Sequence, residues 1–153
     1  MSRDFLVYLA GPITGCSYGE CRNWRKQAIA DLYRTHNYLI GVDPMRGTDH
    51  LHREQELKSV YDSHILTTGK AVTLRDKFEV KRCDLVLANF LGAQKVSTGT
   101  AIELGWASAW DKPIIVVMEA ENPHRHCMVE NVAWFIVETL EAGIRVAADI
   151  LIP

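Results

Sequence analysis

Short apolar runs alternate along this chain with longer stretches in which apolar residues recur every three or four positions. The run FLVYLA at 5–10 is nearly continuous and is cut off by Gly11-Pro12, which predicts a strand covered on both faces. Behind the loop GPITGCSYGE, Trp24, Ala28, Ile29, Leu32 and Tyr33 fall at helical spacing within 21–35. YLIGVD at 38–43 then predicts a second strand, halted by Pro44. These three pieces make one βαβ unit.

The stretch 45–72 breaks the alternation. It is polar, rich in His and punctuated by Gly47 and Gly69, with room for one short helix. Loops this long in a compact domain are usually functional, so the segment is a candidate lid. From Thr73 the pattern turns helical again through TLRDKFEVKRC and feeds the strand DLVLANF at 84–90. The stretch KVSTGTAIELGWASAW predicts another helix, PIIVVM at 113–118 another strand, and 129–141 a last helix before the tail RVAADILIP. Strands alternating with helices imply a doubly wound α/β domain: a single, mostly parallel sheet of four to five strands with helices on both faces, spanning 1–153. In such sheets ligands sit outside the carboxyl ends of the strands, where the winding reverses. The loop 11–15, the strand end at Asn89 and Phe90, and the start of the helix bearing Glu103 would converge there.

Composition narrows the function classes. Of 153 residues, 48% are hydrophobic and 24% charged, the balance of an ordinary globular protein. Lys and Arg total 17 against 19 Asp and Glu, so no general attraction to a nucleic acid polymer is expected. No apolar run reaches the roughly 18 residues of a membrane span, and the N-terminal residues lack a signal-peptide pattern, so a cytoplasmic location is expected. Cys16, Cys21, Cys83 and Cys127 show neither CxxC pairing nor zinc-type spacing, which predicts free thiols and no metal.

Candidate chemistry gathers around position 103. Glu103 stands in the early turns of an apolar helix, where a core pattern would prefer Leu or Ala. A carboxylate near a helix N-terminus can simply answer the free amides there. Here, however, Ser97, Thr98, Gly99 and Thr100 place hydroxyls and unshielded amides just before it, more than a cap needs. A second acid, Asp76, follows Thr73 at capping-box spacing, which would make it a first-turn residue. If both acids reach the same sheet edge, one can act as nucleophile while the other, held protonated, serves a leaving group. The first loop has Gly11 and Gly15 without GxGxxG spacing, which argues against a nicotinamide enzyme.

Taken in order, YLAGPITG, the Arg75-Asp76 pair before CDLVLANFLGA, and STGTAIELGWASAWDKPIIVV resemble the nucleoside 2-deoxyribosyltransferase superfamily, which includes nucleoside 5′-monophosphate N-glycosidases. The resemblance implies an enzyme in which Glu103 attacks the anomeric carbon of a 2-deoxyribonucleoside, forming a glycosyl ester that passes to a second free nucleobase. It implies that Asp76 exchanges the proton of the base, that Tyr8 and Gly11 line the sugar pocket, and that no cofactor is used. It implies a homo-oligomer whose neighbouring C-terminal segment completes each pocket, where His124 or His126 would reach a sugar hydroxyl; a plain surface loop followed by a packing helix stays equally open for these histidines. Val132, Trp134, Phe135 and Ile136, on the helix predicted there, fit a buried dimer face. One departure stands out. Transferases carry an acid six positions before the nucleophile, whereas Ser97 occupies that place, as in the nucleotide hydrolases. Arg22 and Arg25 could then meet a 5′-phosphate or simply face solvent. Hydrolysis of a nucleotide and a silent nucleotide-binding module therefore stay open beside transfer, and Trp106 and Trp110 stay open between core packing and base stacking.

Overall fold

The computed structural model describes residues 3–62 and 64–153; Ser63, inside the segment read as a lid, lies outside the described residues. Five parallel strands form one sheet, β1 (Phe5–Ala10), β2 (Leu39–Val42), β3 (Leu85–Asn89), β4 (Ile114–Val117) and β5 (Phe135–Val137), in the order β2-β1-β3-β4-β5. The fold is the doubly wound α/β arrangement expected from the alternation. Side chains of a strand point alternately to opposite faces, and β1 divides its residues accordingly. Val7 and Leu9 pack with Ala28 and Leu32 of α1 (Tyr18–Thr35) and Ile144 and Ala147 of α5 (Leu140–Leu151). Tyr8 and Ala10 face the other way, toward Val80 of α2 (Gly69–Arg82) and Leu104 and Ala107 of α3 (Thr98–Ala109). That parity puts Tyr8 and Glu103 on the same face.

Cap chemistry sets the helix starts. Ser17 and Glu20 make a reciprocal capping box for α1, which begins three residues before the apolar periodicity does. α2 starts at Gly69, capped by Thr68, and the expected Thr73 box does not form. The Thr73 hydroxyl instead donates to the Gly69 carbonyl at 2.8 Å. Asp76 is therefore a mid-helix residue with no capping duty.

The end of the chain also differs from the periodicity. In place of one helix over 129–141 there is a short α4 (Cys127–Val132), the edge strand β5, and then α5 where the sequence reads as a tail. Trp134 donates its amide to the Ile114 carbonyl at 2.8 Å and draws the segment alongside β4. Trp134 and Phe135 are half exposed beside this edge rather than on a helix. Within α5, Gly143 permits close contact with the sheet: a Cβ there would stand 2.9 Å from Val117 Cγ2. Thr139 caps this helix, accepting from the Ala142 amide at 3.1 Å. The cysteines are free thiols. No described helix is long and apolar enough to cross a membrane.

Candidate active site

A cavity of about 470 Å³ opens where the loops after β1 and β3 part, the switch point of the sheet. Its walls come from the loop after β1 (Gly11, Ile13, Thr14), the start of α3 (Ser97 to Thr100), and the segment 44–72, through Met45, Leu51, Leu57 and Tyr61. That segment holds two short 3-10 turns, Asp49–Leu51 and Ile65–Thr67. Backbone bonds tie it to the first loop: Gly15 N–H to Leu57 O (2.8 Å), Leu57 N–H to Cys16 O (2.7 Å) and Tyr18 N–H to Glu54 O (3.1 Å). The candidate lid is thus an anchored wall.

Asp76 and Glu103 both line this cavity, each about 92% buried, at 8% relative exposure. Glu103 lies in the second turn of α3, beyond the free amides, and it accepts its hydrogen bond from the Tyr8 hydroxyl at 2.7 Å. Asp76 Oδ1 is buried without a hydrogen-bond partner; the nearest cation, Arg75 Nε, is 3.8 Å away. Burying a carboxylate oxygen unpartnered is costly, so this atom is primed to meet a ligand. Loss of water raises the Glu103 carboxyl to about 8, and the nearby Asp76 charge adds to the rise. Burial likewise raises Asp76 to about 6, against the pull of Arg75, Arg46 and Arg25. Between these limits the pair holds one proton and one negative charge, as coupled sites do. Tyr8 is pushed well above its usual value by burial and by the Glu103 charge, so its hydroxyl remains a donor.

The other expected residues divide. Gly11, Ser97, Gly99 and Thr100 line the cavity with the two acids, whereas Tyr8 is not a wall residue but lies fully buried and reaches the site only through Glu103. At Gly11 a Cβ would lie 2.8 Å from the Asn89 carbonyl and 3.0 Å from Trp24, so no side chain fits. Asn89 is not a wall residue; its Oδ1 accepts from the Leu91 amide at 3.1 Å and shapes the turn after β3. His124 is buried, stacked on Phe90 at 3.7 Å, and has both ring nitrogens engaged within the chain. Nε2 accepts from the Ser97 amide at 2.8 Å, and Nδ1 pairs with Asn122 Oδ1 at 3.0 Å. This fixes the proton on Nδ1, and burial pulls the ring's pKa down. His124 thereby holds the start of α3 rather than reaching outward. His126 is exposed and caps α4, accepting from the Met128 amide at 3.2 Å.

Two expectations for cations and aromatics are corrected or resolved. Neither Arg22 nor Arg25 is a solvated helix residue: Arg22 pairs with Asp43, and Arg25 is completely buried. Trp106 and Trp110 pack against the core cluster of α2 and α3, beneath Lys77 and Lys81. Sequence reasoning missed Lys58, Arg75 and Lys95 in the wall. Lys95 stands two residues before the helix cap Ser97 and Arg75 adjoins Asp76, and those positions were the available signals.

The family model for nucleoside 2-deoxyribosyltransferase matches residues 7–141. A solved 2-deoxyribosyltransferase from Bacillus psychrosaccharolyticus superimposes with a TM-score of 0.63 at 19% identity, covering 90% of this chain and 88% of that one. The Clostridium botulinum CMP N-glycosidase BcmB superimposes with a TM-score of 0.52 at 22% identity, over 95% and 99% of the two chains. At these identities the two structures share the fold with this protein. The uncharacterized protein YtoQ of Bacillus subtilis (strain 168) is 27% identical over 146 residues, 93% of each chain. The chain belongs to the nucleoside 2-deoxyribosyltransferase family, a family of glycosyl-transferring and N-glycosidic enzymes.

Proposed function

We propose that this protein transfers 2-deoxyribose between nucleobases, with Glu103 as the nucleophile at the anomeric carbon and Asp76 as the acid for the departing base. The observation that carries the reading is the buried carboxylate pair lining one cavity, each acid raised by its burial. Cleavage of an N-glycosidic bond needs that inventory: a negative charge beside a cation-like carbon, and a proton for a base that leaves poorly as an anion. Within the pair the proton favours Glu103, the more strongly raised acid. The opposite arrangement is favoured as the bond begins to break, because the positive charge developing at the sugar stabilises ionised Glu103 while the base nitrogen accepts from protonated Asp76. The Glu103 carboxylate then bonds to C1′ as the C1′–N bond breaks and the Asp76 proton passes to the base. A second base reverses these steps, and water in its place gives hydrolysis. Ser97, Gly99 and Thr100 line the sugar side of this arrangement in the proposal, with Tyr8 orienting Glu103.

Lys58 and Lys95 support a second reading. They bring ammonium groups to a wall that also carries Ser97 and Thr98 at the start of α3, a set suited to a phosphate. Under this reading the substrate is a nucleoside 5′-monophosphate and the sugar goes to water. Incubation with deoxyinosine and adenine separates the two: new deoxyadenosine supports transfer, and base release confined to deoxynucleoside monophosphates supports hydrolysis. Saturable nucleoside binding with neither product would leave a binding module and refute both enzymatic readings.

A further inference from the structure

Arg25 is a fully buried guanidinium one layer behind the cavity wall. Its three nitrogens all donate to backbone: Nε to Leu9 O at 3.1 Å, Nη1 to Cys21 O at 2.7 Å and Nη2 to Gly11 O at 3.0 Å. Leu9 and Gly11 lie either side of Ala10, immediately after Tyr8, so the fork fixes the end of β1 from which both the Glu103 partner and the cavity wall project. The guanidinium also lies over the Trp24 ring, 4.5 Å from its centroid.

Charge balance gives this placement a second meaning. Asp43 is the carboxylate nearest Arg25, 3.8 Å from Nε, and it is shared with Arg22 while accepting from the Met45 amide at 2.7 Å. Two cations on one anion leave one positive charge over. Across β1, Tyr8, Glu103 and Asp76 form the cluster that carries one negative charge between its two acids. The charges of Arg25 on α1 and Asp76 on α2 both act on Tyr8 and Glu103, and those of Arg75, Arg46 and Glu79 act on Asp76. A buried charge is tolerated when another compensates it.

We infer that Arg25 is a positioning residue for the carboxylate pair: its fork fixes the strand end carrying Tyr8 and Gly11, and its charge is the buried counter-ion that lets Glu103 give up its proton. The kinetic half rests on the proposed glycosyl transfer; the electrostatic half does not. The test is an NMR titration of the full chain carrying 13C at glutamate Cδ, with Glu103 assigned by the signal lost in Glu103→Gln. In Arg25→Gln the Glu103 midpoint rises by at least about one pH unit, the size expected on removing a nearby opposite charge. In Asp43→Asn, which frees Arg25 from its anion while keeping an acceptor for Met45, the midpoint falls. If Arg25→Gln does not fold, Asp43→Asn decides alone, and an unmoved midpoint there overturns the counter-ion role. Arg25→Lys keeps the charge and loses the fork; its midpoint stays near wild type while kcat falls about tenfold or more, the scale of a misplaced reacting group. Wild-type kcat in that variant overturns the positioning role. A wild-type protein that processes no nucleoside would refute the proposed function, and the midpoint shifts would still read the field of Arg25.

Discussion

Glu103→Gln tests the burial of this carboxyl without reference to any substrate. The folded protein raises Glu103 from the ordinary 4.5 to about 8, so the native state favours its neutral form. The unfolded chain binds no proton there above about pH 4.5, whereas the folded chain keeps one until about pH 8. Stability is therefore fully present below the unfolded value and drains away as pH rises through this window. At about 1.4 kcal/mol per unit, a rise of about 3.5 units sets an upper limit of roughly 5 kcal/mol lost by pH 8.5. Gln retains an oxygen to accept from Tyr8 and cannot ionise, so the variant escapes the loss. With roughly 2 to 4 °C per kcal/mol for a chain of this length, the variant should melt at least about 5 °C above wild type near pH 8.5 and close to it near pH 5. Thermal unfolding followed by circular dichroism across that range gives the comparison. Parallel melting curves at both ends would show that Glu103 is not held neutral in the fold, and the shared-proton reasoning would fail with it.

Asp76→Asn should lower kcat by about a hundredfold or more with a smaller change in nucleoside affinity, since general acids contribute on that scale; steady-state kinetics beside ligand titration reads the split, and an unaltered kcat removes Asp76 from the chemistry. Gly11→Ala places a methyl 2.8 Å from the Asn89 carbonyl and should cost about 1 to 3 kcal/mol in chemical denaturation. His124→Ala removes the acceptor of the Ser97 amide and the ring on Phe90; hydrogen exchange of the Ser97 and Thr98 amides should quicken about tenfold or more, given a bond worth roughly 1 kcal/mol and the lost packing. Exchange at wild-type rates would mean that other contacts hold the start of α3.

Sequence pattern revealed the parts of the fold with long or unbroken signals. β1, β3 and β4 are nearly continuous apolar runs because both faces are covered. β5 has three residues on an exposed edge, and its Phe135 with the preceding Trp134 mimics a helix face, so 129–141 carries no strand signal. α5 was obscured by Gly143, a poor helix former chosen for contact with Val117. At the site, the two acids and the Ser97 to Thr100 turn were legible because polar residues interrupt apolar patterns. Arg25 was not, because a helical arginine reads as solvated until the carbonyls of Leu9 and Gly11 are known to point at it. The histidines misled for the opposite reason: His124 looks like an outward ligand but serves as an internal clamp.

The wall built from 44–72 is joined to the first loop through main-chain groups of Gly15, Cys16, Tyr18, Glu54 and Leu57. Main-chain bonds are indifferent to which side chain each residue carries. Met45, Leu51 and Leu57 can therefore be exchanged for other apolar residues that still fill the cluster beneath them while the attachment persists. Under the proposed reaction, contact with the base falls to one tract of polypeptide and the carboxylate pair to another, so the substrates accepted could change while the bond-breaking groups are kept.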